Sequence, residues 1–577
     1  MTIFMSDRSG AVMRSTRIRS VRRAGANATD AQATLRRLIR SVAAMCCAFG
    51  CIAAGVAHAA DRYWVGTSGP WATLSNWSTD PVNSTPNPGT IPGGSDDLYF
   101  NISTGNVGTT IDLASNRNAE SLSFTNTFTT GFRANASASA TARTLSINPR
   151  GITMAPGAGV VTFGVDSATN GRVDLSLNAL TNSITNNSSS NLNINNRVQS
   201  NAVGGATIIN NGTGTGYVGM GDLRGTVAKI VQNSATSVLG LRQNSSTFAG
   251  TVDILKGTVL IGTHANNLGT NAGQVNLGSS AELASDAATL EINDSASITY
   301  TAKPIVLGTT SGLLKIVLRD DGGTRTHTIT GAISGANNLT LENQANGLNA
   351  DDNLVFSTGG LNNAGTITHI GDSAGSLIIN SVIGPLVTGV TQNSATSPLV
   401  LTGSNTYPGT TTVSAGGLLV NGAHSGVGLA TVASGARIGG TGSLAGGLTI
   451  ASGGLFVFNP ADSTLDVSGA VSLDNSFSVA SLVNSDGSAI NWASVTDSSY
   501  PLIGLTSSTF NSITNFGPGA AADIGPGRTA YFTNASESGG LNLIVVPEPS
   551  AGLAIATVLT AAACWWRARS AAVGRDA

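Results

Sequence analysis

Three pairs of adjacent carboxylates, Asp96 with Asp97, Asp320 with Asp321 and Asp351 with Asp352, are the residues of this sequence best suited to chemistry. Two carboxyl groups facing one sugar ring can cleave a glycosidic bond, one as general acid and the other as base or nucleophile. A carboxylate cluster that holds calcium beside a basic residue would suit a polysaccharide lyase instead. Asp320 and Asp321 have cationic company, since "RDDGGTR" sets Arg319 and Arg325 on either side. The same "DDGG", lying between "LLKIVL" and "THTITG", also has the composition of a tight turn joining two strands. The structural reading is the one expected here.

Other chemistries find less material. Outside the N-terminal segment the histidines are His264, His327, His369 and His424, each without a second histidine or carboxylate at ligand spacing. No metal or cofactor site is therefore expected. His264 in "GTHAN" and His424 in "GAHSG" fall at equivalent places of two repeats described below, which predicts turn positions for both. Cys46, Cys47, Cys51 and Cys564 all lie in apolar runs near the two ends, so the body carries no disulfide, thiolate ligand or cysteine nucleophile. Serine is abundant, but no G-x-S-x-G elbow at a strand-to-helix turn supports a catalytic triad.

The elements that must position these residues are strands. Among 577 residues there are 72 glycines, nearly twice the average share of about 7%. Charged residues are only 10%, and aromatics 5%. Such a composition is unlike that of an ordinary globular enzyme. With 41% hydrophobic residues and a net charge of -2, the chain still has apolar surface to bury, which argues against disorder.

Both ends read as export signals. Nine arginines in residues 1–40 are followed by an apolar run over 42–56 and then "AHAA". A basic segment, an apolar segment and small residues at Ala57 and Ala59 form a secretory signal peptide cut after Ala59. Met5 or Met13 could be the true start; "RRLIR" matches a twin-arginine signal poorly, and "AFGC" is a poor lipoprotein box. At the other end, residues 551–566 are sixteen residues without charge, a little shorter than the roughly 17 to 25 of a spanning helix. Trp565 and Trp566 suit a membrane interface, and Arg567 and Arg569 would stay on the cytoplasmic side. Just before them Pro547 and Pro549 flank Glu548 and favour an extended, accessible segment.

"VPEPS", a short apolar stretch and a terminal arginine cluster together resemble the PEP-CTERM sorting signal of Gram-negative bacteria. The resemblance covers some thirty residues. It implies that Pro547, Glu548 and Pro549 are handled by an exosortase, a membrane processing enzyme, and it implies an extracellular polysaccharide context. When the nine arginines and two aspartates before residue 60 are set aside, with the three arginines and two acids after residue 546, the body is net acidic by ten charges. Four lysines and no basic run make nucleic acid an unsuitable partner.

Repeats organise the body. "QNSATS" occurs at 232–237 and again at 392–397, and similar sequence follows each copy, with Phe248 aligned to Tyr407. Within the second copy, "VSAGGLLV", "VASGARIG" and "IASGGLFV" begin at Val413, Val432 and Ile450, 19 and 18 residues apart. Each unit is an apolar run, a glycine turn and another apolar run. One unit cannot bury its own face, so stacked units predict an all-β parallel β-solenoid. Tiers roughly 4.8 Å apart would make a rod on the order of 100 Å long. Asparagine-rich "TNSITNNSSSNLNINN" at 181–196 is expected to form tiers punctuated by Ile184, Leu192 and Ile194, with stacked amides.

Residues 399–421 closely, and 239–262 loosely, resemble the autotransporter-associated β-strand repeat, whose pattern runs "LTG-NTY-GTT-V-GG-LLV". In the looser copy Arg242 and Gln243 replace Thr-Gly. "YWVGTSGPWATLSNWS" resembles the opening of many exported solenoid proteins, and Trp64, Trp71 and Trp77 are expected to cap the first tier, with carbohydrate stacking as the alternative. No run of alternating ten-residue strands follows the repeats, so a porin-like translocator is not expected.

The expected organisation is a signal peptide at 1–59, an N-terminal cap and first tiers at 60–200, a repeat solenoid at 201–470, a C-terminal cap at 471–546 and the sorting signal with a single transmembrane helix at 547–577. The expected function is a non-enzymatic, structural or adhesive protein of the cell surface or extracellular matrix. It would be anchored in the inner membrane through the C-terminal helix, transiently or permanently. The competing expectation is a surface polysaccharide-active lyase or glycosidase.

Overall fold

The computed structural model describes residues 60–548 except 102–107, 135–141, 165–170, 271, 280–285, 310–311, 320–322, 345–350, 463, 505 and 536–538. The signal segment with Ala57 and Ala59 lies outside the described residues, as do Pro549 and the expected span with Trp565, Trp566, Arg567 and Arg569. Among the described residues no helix is long and apolar enough to cross a membrane. Helical structure there amounts to four three-residue 3-10 turns, at Leu74–Asn76, Val479–Ser481, Trp492–Ser494 and Pro518–Ala520. Everything else regular is β, in sheets of 31, 9 and 7 strands.

Pairing within these sheets is parallel along nearly the whole described body. The three glycine-turn units stack in register, Val413 on Val432 on Ile450, while Leu418 pairs with Ile438 and Ile438 with Phe456. The chain therefore returns to the same sheet after about one unit and lies down on its own previous pass. Alternation decides which side chains go inside. Leu339–Gln344 buries Leu339, Leu341 and Asn343 and turns Thr340 and Glu342 outward, as a period of two requires.

The turns between runs depend on glycine. Gly416, Gly435 and Gly453 occupy the same place in the three units and have φ of 62°, 75° and 74°, a region in which a Cβ collides with the backbone. Gly416 faces a second constraint, because a Cβ there would lie 2.0 Å from the carbonyl oxygen of Ser394 in the preceding pass. Gly257 has the same relation to Ser234 in the other long repeat, at 1.9 Å.

An ordered file of hydroxyls that the composition does not reveal runs up the outside of the largest sheet. Thr340, Thr368, Thr391, Thr412, Thr431, Thr449 and Ser472 are successive register partners. The asparagine-rich stretch forms the strands Thr181–Asn186 and Leu192–Ile194 and buries Ile184, Leu192 and Ile194. Amide contacts between passes do occur, as from Asn233 Nδ2 to Asn211 Oδ1 at 2.9 Å, but as pairs.

The two ends close differently. At the start, Ala60–Trp64 pairs with Trp77–Ser78 antiparallel and with Asp96–Phe100 in parallel. Trp71 and Trp77 are fully buried and Trp64 nearly so, with Trp77 5.0 Å from Trp64 and 5.1 Å from Trp71 between ring centres, both edge to face. The rings therefore seal the core and cannot stack on a sugar, which removes the carbohydrate-stacking alternative. Phe100 on Phe124 and Phe132 on Phe163 continue this aromatic core into the following passes, each at 4.8 Å. At the other end, Ser498–Gly504, Gly540–Pro547, Arg528–Asn534 and Ala522–Gly525 form an antiparallel group joined to the parallel strands through Leu465 and Ile503.

Candidate functional site

The two described carboxylate pairs, Asp96 with Asp97 and Asp351 with Asp352, are each taken up by their own partners. Asp97 is held by Arg150 and by the Ser121 hydroxyl, while Asp96 accepts the Gly93 amide at 2.7 Å and faces Arg62 at 3.7 Å. Asp351 accepts from Thr324 Oγ1 at 2.7 Å. Asp352 is fully buried, accepts the Arg325 amide at 2.7 Å and has His327 Nε2 3.8 Å away. It ties two passes together across the chain. Arg319 is committed to a two-pronged pair with Glu291 at 2.9 and 3.2 Å. Asp320 and Asp321 lie outside the described residues. Among the described residues no group of three or more His, Cys, Asp or Glu is placed to hold a metal ion.

A serine motif that sequence reasoning passed over resolves in the same way. Gly371, Asp372, Ser373, Ala374 and Gly375 spell G-x-S-x-G, yet they join the strands Thr366–Gly371 and Leu377–Ile379 with no helix following. Ser373 is buried, and its Oγ accepts the Gly375 amide at 3.0 Å. It closes a corner and is shielded from any substrate.

The histidines divide, and the expected equivalence of His264 and His424 fails. His264 is exposed, whereas His424 is buried and stacks on Tyr407 with ring centres 4.1 Å apart. An offset of one residue between the two repeats was enough to change which side chain faces in. His369 is fully buried, with Nδ1 2.6 Å from Oε1 of Gln392, the first residue of the second "QNSATS". Burial pushes its pKa down to about 4, partly opposed by the bond to Gln392. Gln392 Nε2 in turn donates to the carbonyls of Ser394 and Ser397, at 3.0 and 2.8 Å. Gln232 does the same for Ser234 and Ser237, and its Oε1 accepts from Asn210 at 2.8 Å. The repeated hexapeptide is thus a corner whose glutamine satisfies carbonyls that bend into the core.

A concave surface remains, on the outer face of the nine-stranded sheet. It has a volume of about 390 Å³. Leu419 and Val457 line its floor with Gly440, and Asn421, Thr441, Asn459, Asp462, Asn484 and Ser485 supply its polar lining. Leu419 points outward because its neighbours Leu418 and Val420 are the buried partners in the strand Gly417–Val420. Arg437, only 7% exposed, fixes the far wall by donating from Nε to the Ser485 carbonyl at 2.9 Å. Burial lowers its pKa and nearby Asp486 opposes this.

The first two residues of the PEP motif are exposed at the close of the antiparallel group. Pro547 is the last residue of its strand, in register with Arg528, and the Glu548 amide donates to the Gly527 carbonyl at 2.7 Å.

The described residues thus define an all-β protein built on long parallel sheets, with almost no helix. No protein-family profile matches the sequence, and no solved structure gives a significant match. The chain is similar to the adhesin BmaC autotransporter of Brucella suis biovar 1 (strain 1330), with 50% identity over 66 residues. Those residues are 11% of this chain and 2% of the relative, so the chain spans only a small part of that protein's length.

Proposed function

We propose that this chain is a parallel β-solenoid exported to the cell surface, where it serves a structural or adhesive role in an extracellular polysaccharide matrix. The observation that carries this reading is the tier-on-tier parallel pairing, which presents long uncharged files such as Thr340 to Ser472 on its outside. Similarity to a protein named as an adhesin supports the same class. Asp96, Asp97, Asp351 and Asp352 serve internal bonds, which favours adhesion over depolymerisation. Sorting would proceed through Pro547, Glu548 and Pro549 by an exosortase-type enzyme, with residues 551–566 holding the chain in the inner membrane until processing.

Intact mass of the protein recovered from the cell surface and the medium tests the sorting. Termini near Ala60 and near Pro547 to Pro549 are expected, and a C-terminus still at Ala577, found only in membranes, would remove the exosortase step. Deleting the protein is expected to weaken cell aggregation and matrix cohesion, and unchanged cohesion would remove the adhesive role. Replacing Asp320 and Asp321 with Asn should leave matrix association intact. Loss of a depolymerising activity in that variant would favour the enzymatic alternative.

A further inference from the structure

Outward residues of the nine-stranded sheet form an aliphatic stripe. Val355, Ile378, Val400 and Leu419 are register partners in consecutive passes, and the file continues through Gly439 to Val457 at the groove; Ile378, Val400 and Leu419 are half-buried and form its accessible stretch, whereas Val355 and Val457 at its ends are buried. Beside it runs a second file, one or two residues past the strand ends. Asn380, Thr402, Asn421, Thr441 and Asn459 are all exposed, and two pairs of neighbours are bonded, Thr402 Oγ1 donating to Asn380 Oδ1 at 2.6 Å and the Thr441 amide to Asn421 Oδ1 at 3.3 Å. An apolar track flanked by a rail of amides and hydroxyls therefore leads into the groove.

We propose that this track and groove bind a neutral polysaccharide chain lying along the stacking direction. The inference deepens the matrix reading above and rests on it. Sugar rings are amphipathic: their C–H faces suit an aliphatic floor, and their equatorial hydroxyls suit a rail of Asn and Thr. Charge selects among polysaccharides. Neither the stripe nor the rail carries a charge, Asp462 is the charged residue lining the groove, and Arg437 behind its wall is buried and bonded to the Ser485 carbonyl, so among the described residues of the groove a polyanion finds no accessible cation to pair with. Two other occupants fit less well. Strand addition by a peptide needs an open sheet edge, whereas this is a sheet face whose strands are already paired on both sides. A second copy of this chain would need roughly 800 Å² per partner, and a stripe one residue wide over a few tiers offers far less.

Binding of the chain recovered from the cell surface or medium to two insoluble neutral glucans, cellulose and curdlan, would be compared with binding to alginate, a polyuronate. Leu419→Asp, which places a charge on the floor, and Asn421→Ala, which removes a rail amide at an exposed site, are the informative variants. Thr431→Ala, in the threonine file of a different sheet, is the control, and an unchanged melting transition certifies the fold of each. Loss of a buried apolar contact of this size weakens binding by at least about tenfold. Wild type and Thr431→Ala are expected to bind a neutral glucan, with Leu419→Asp and Asn421→Ala weakened. Should Leu419→Asp fail to fold, Asn421→Ala decides alone. Neutral-glucan binding unchanged in both groove variants overturns the inference and leaves the matrix reading standing, as does binding to alginate alone. Groove-dependent binding by a chain that producing cells do not retain at their surface upholds the inference while the surface reading falls.

Discussion

Nδ1 of His369 lies 2.6 Å from Oε1 of Gln392, the residue directly over it in the next pass, and both side chains are fully buried. The pair puts a titratable group and an amide where other passes carry Leu, Ile or Val. In the other long repeat Asn210 and Gln232 hold the same relation at 2.8 Å, with no titratable member.

A pH dependence follows from that difference. His369 has a folded pKa of about 4 against an ordinary 6.5. Between those values the unfolded chain binds a proton that the folded chain does not, so stability rises with pH across this window and is lost on acidification. The loss between pH 7 and pH 4 should be on the order of 3 kcal/mol. Burial lowers the pKa of His424 too, which adds to the effect in the same direction. Denaturant midpoints measured from pH 7 to pH 4 should fall steeply in the wild type and less in His369→Asn, which copies the Asn210 arrangement. Equal slopes would show that His369 is not the group responsible.

Gln392→Leu should be costly even though it adds apolar volume. It strands the buried carbonyls of Ser394 and Ser397 and takes the partner from His369 Nδ1. Each unsatisfied buried polar group costs roughly 1 to 3 kcal/mol. The expected change is a loss of about 2 kcal/mol or more in unfolding free energy, and a neutral result would mean the corner opens to water.

Two glycines with the same backbone sign should respond differently to alanine. Gly435 has φ of 75° with nothing within 4 Å of an added Cβ, so Gly435→Ala should cost about 1 to 2 kcal/mol from the left-handed conformation alone. Gly416→Ala adds a collision with the Ser394 carbonyl, and it should cost at least about 2 kcal/mol more. Paired thermal melts decide this, and equal losses would remove the close-approach argument.

Trp77→Ala tests the N-terminal cap. The ring is fully buried, donates from Nε1 to the Trp71 carbonyl at 2.9 Å and packs on Trp64. Removing a large aromatic side chain from a core costs roughly 3 to 5 kcal/mol. Stacked passes contact mainly their neighbours, so the loss should be local first. Hydrogen exchange should lose protection over residues 60–134 before the passes beyond Gln392 change, and uniform loss would show that the described body unfolds as one unit.

Much of the architecture was legible in the chain itself. Val413, Val432 and Ile450 announce the stacking because a pass that buries one face must repeat its apolar residues at one interval, and the turn glycines between them take a φ that costs other residues energy. The two "QNSATS" copies likewise mark equivalent corners, although sequence says nothing of what the glutamine bonds to. What only the folded chain decided is which residues become neighbours between passes. The file from Thr340 to Ser472 cannot be seen in a sequence where those residues stand about twenty apart at uneven intervals, and the groove floor joins Leu419 to Val457 across two passes. The partners of Asp97, Asp352 and Arg319 were hidden for the same reason, because passes of slightly different length bring together side chains at separations that no fixed spacing predicts. His264 and His424 make the point at its smallest scale: alternation along the chain determines that one residue in two faces inward, and a shift of a single position in the fold decides which.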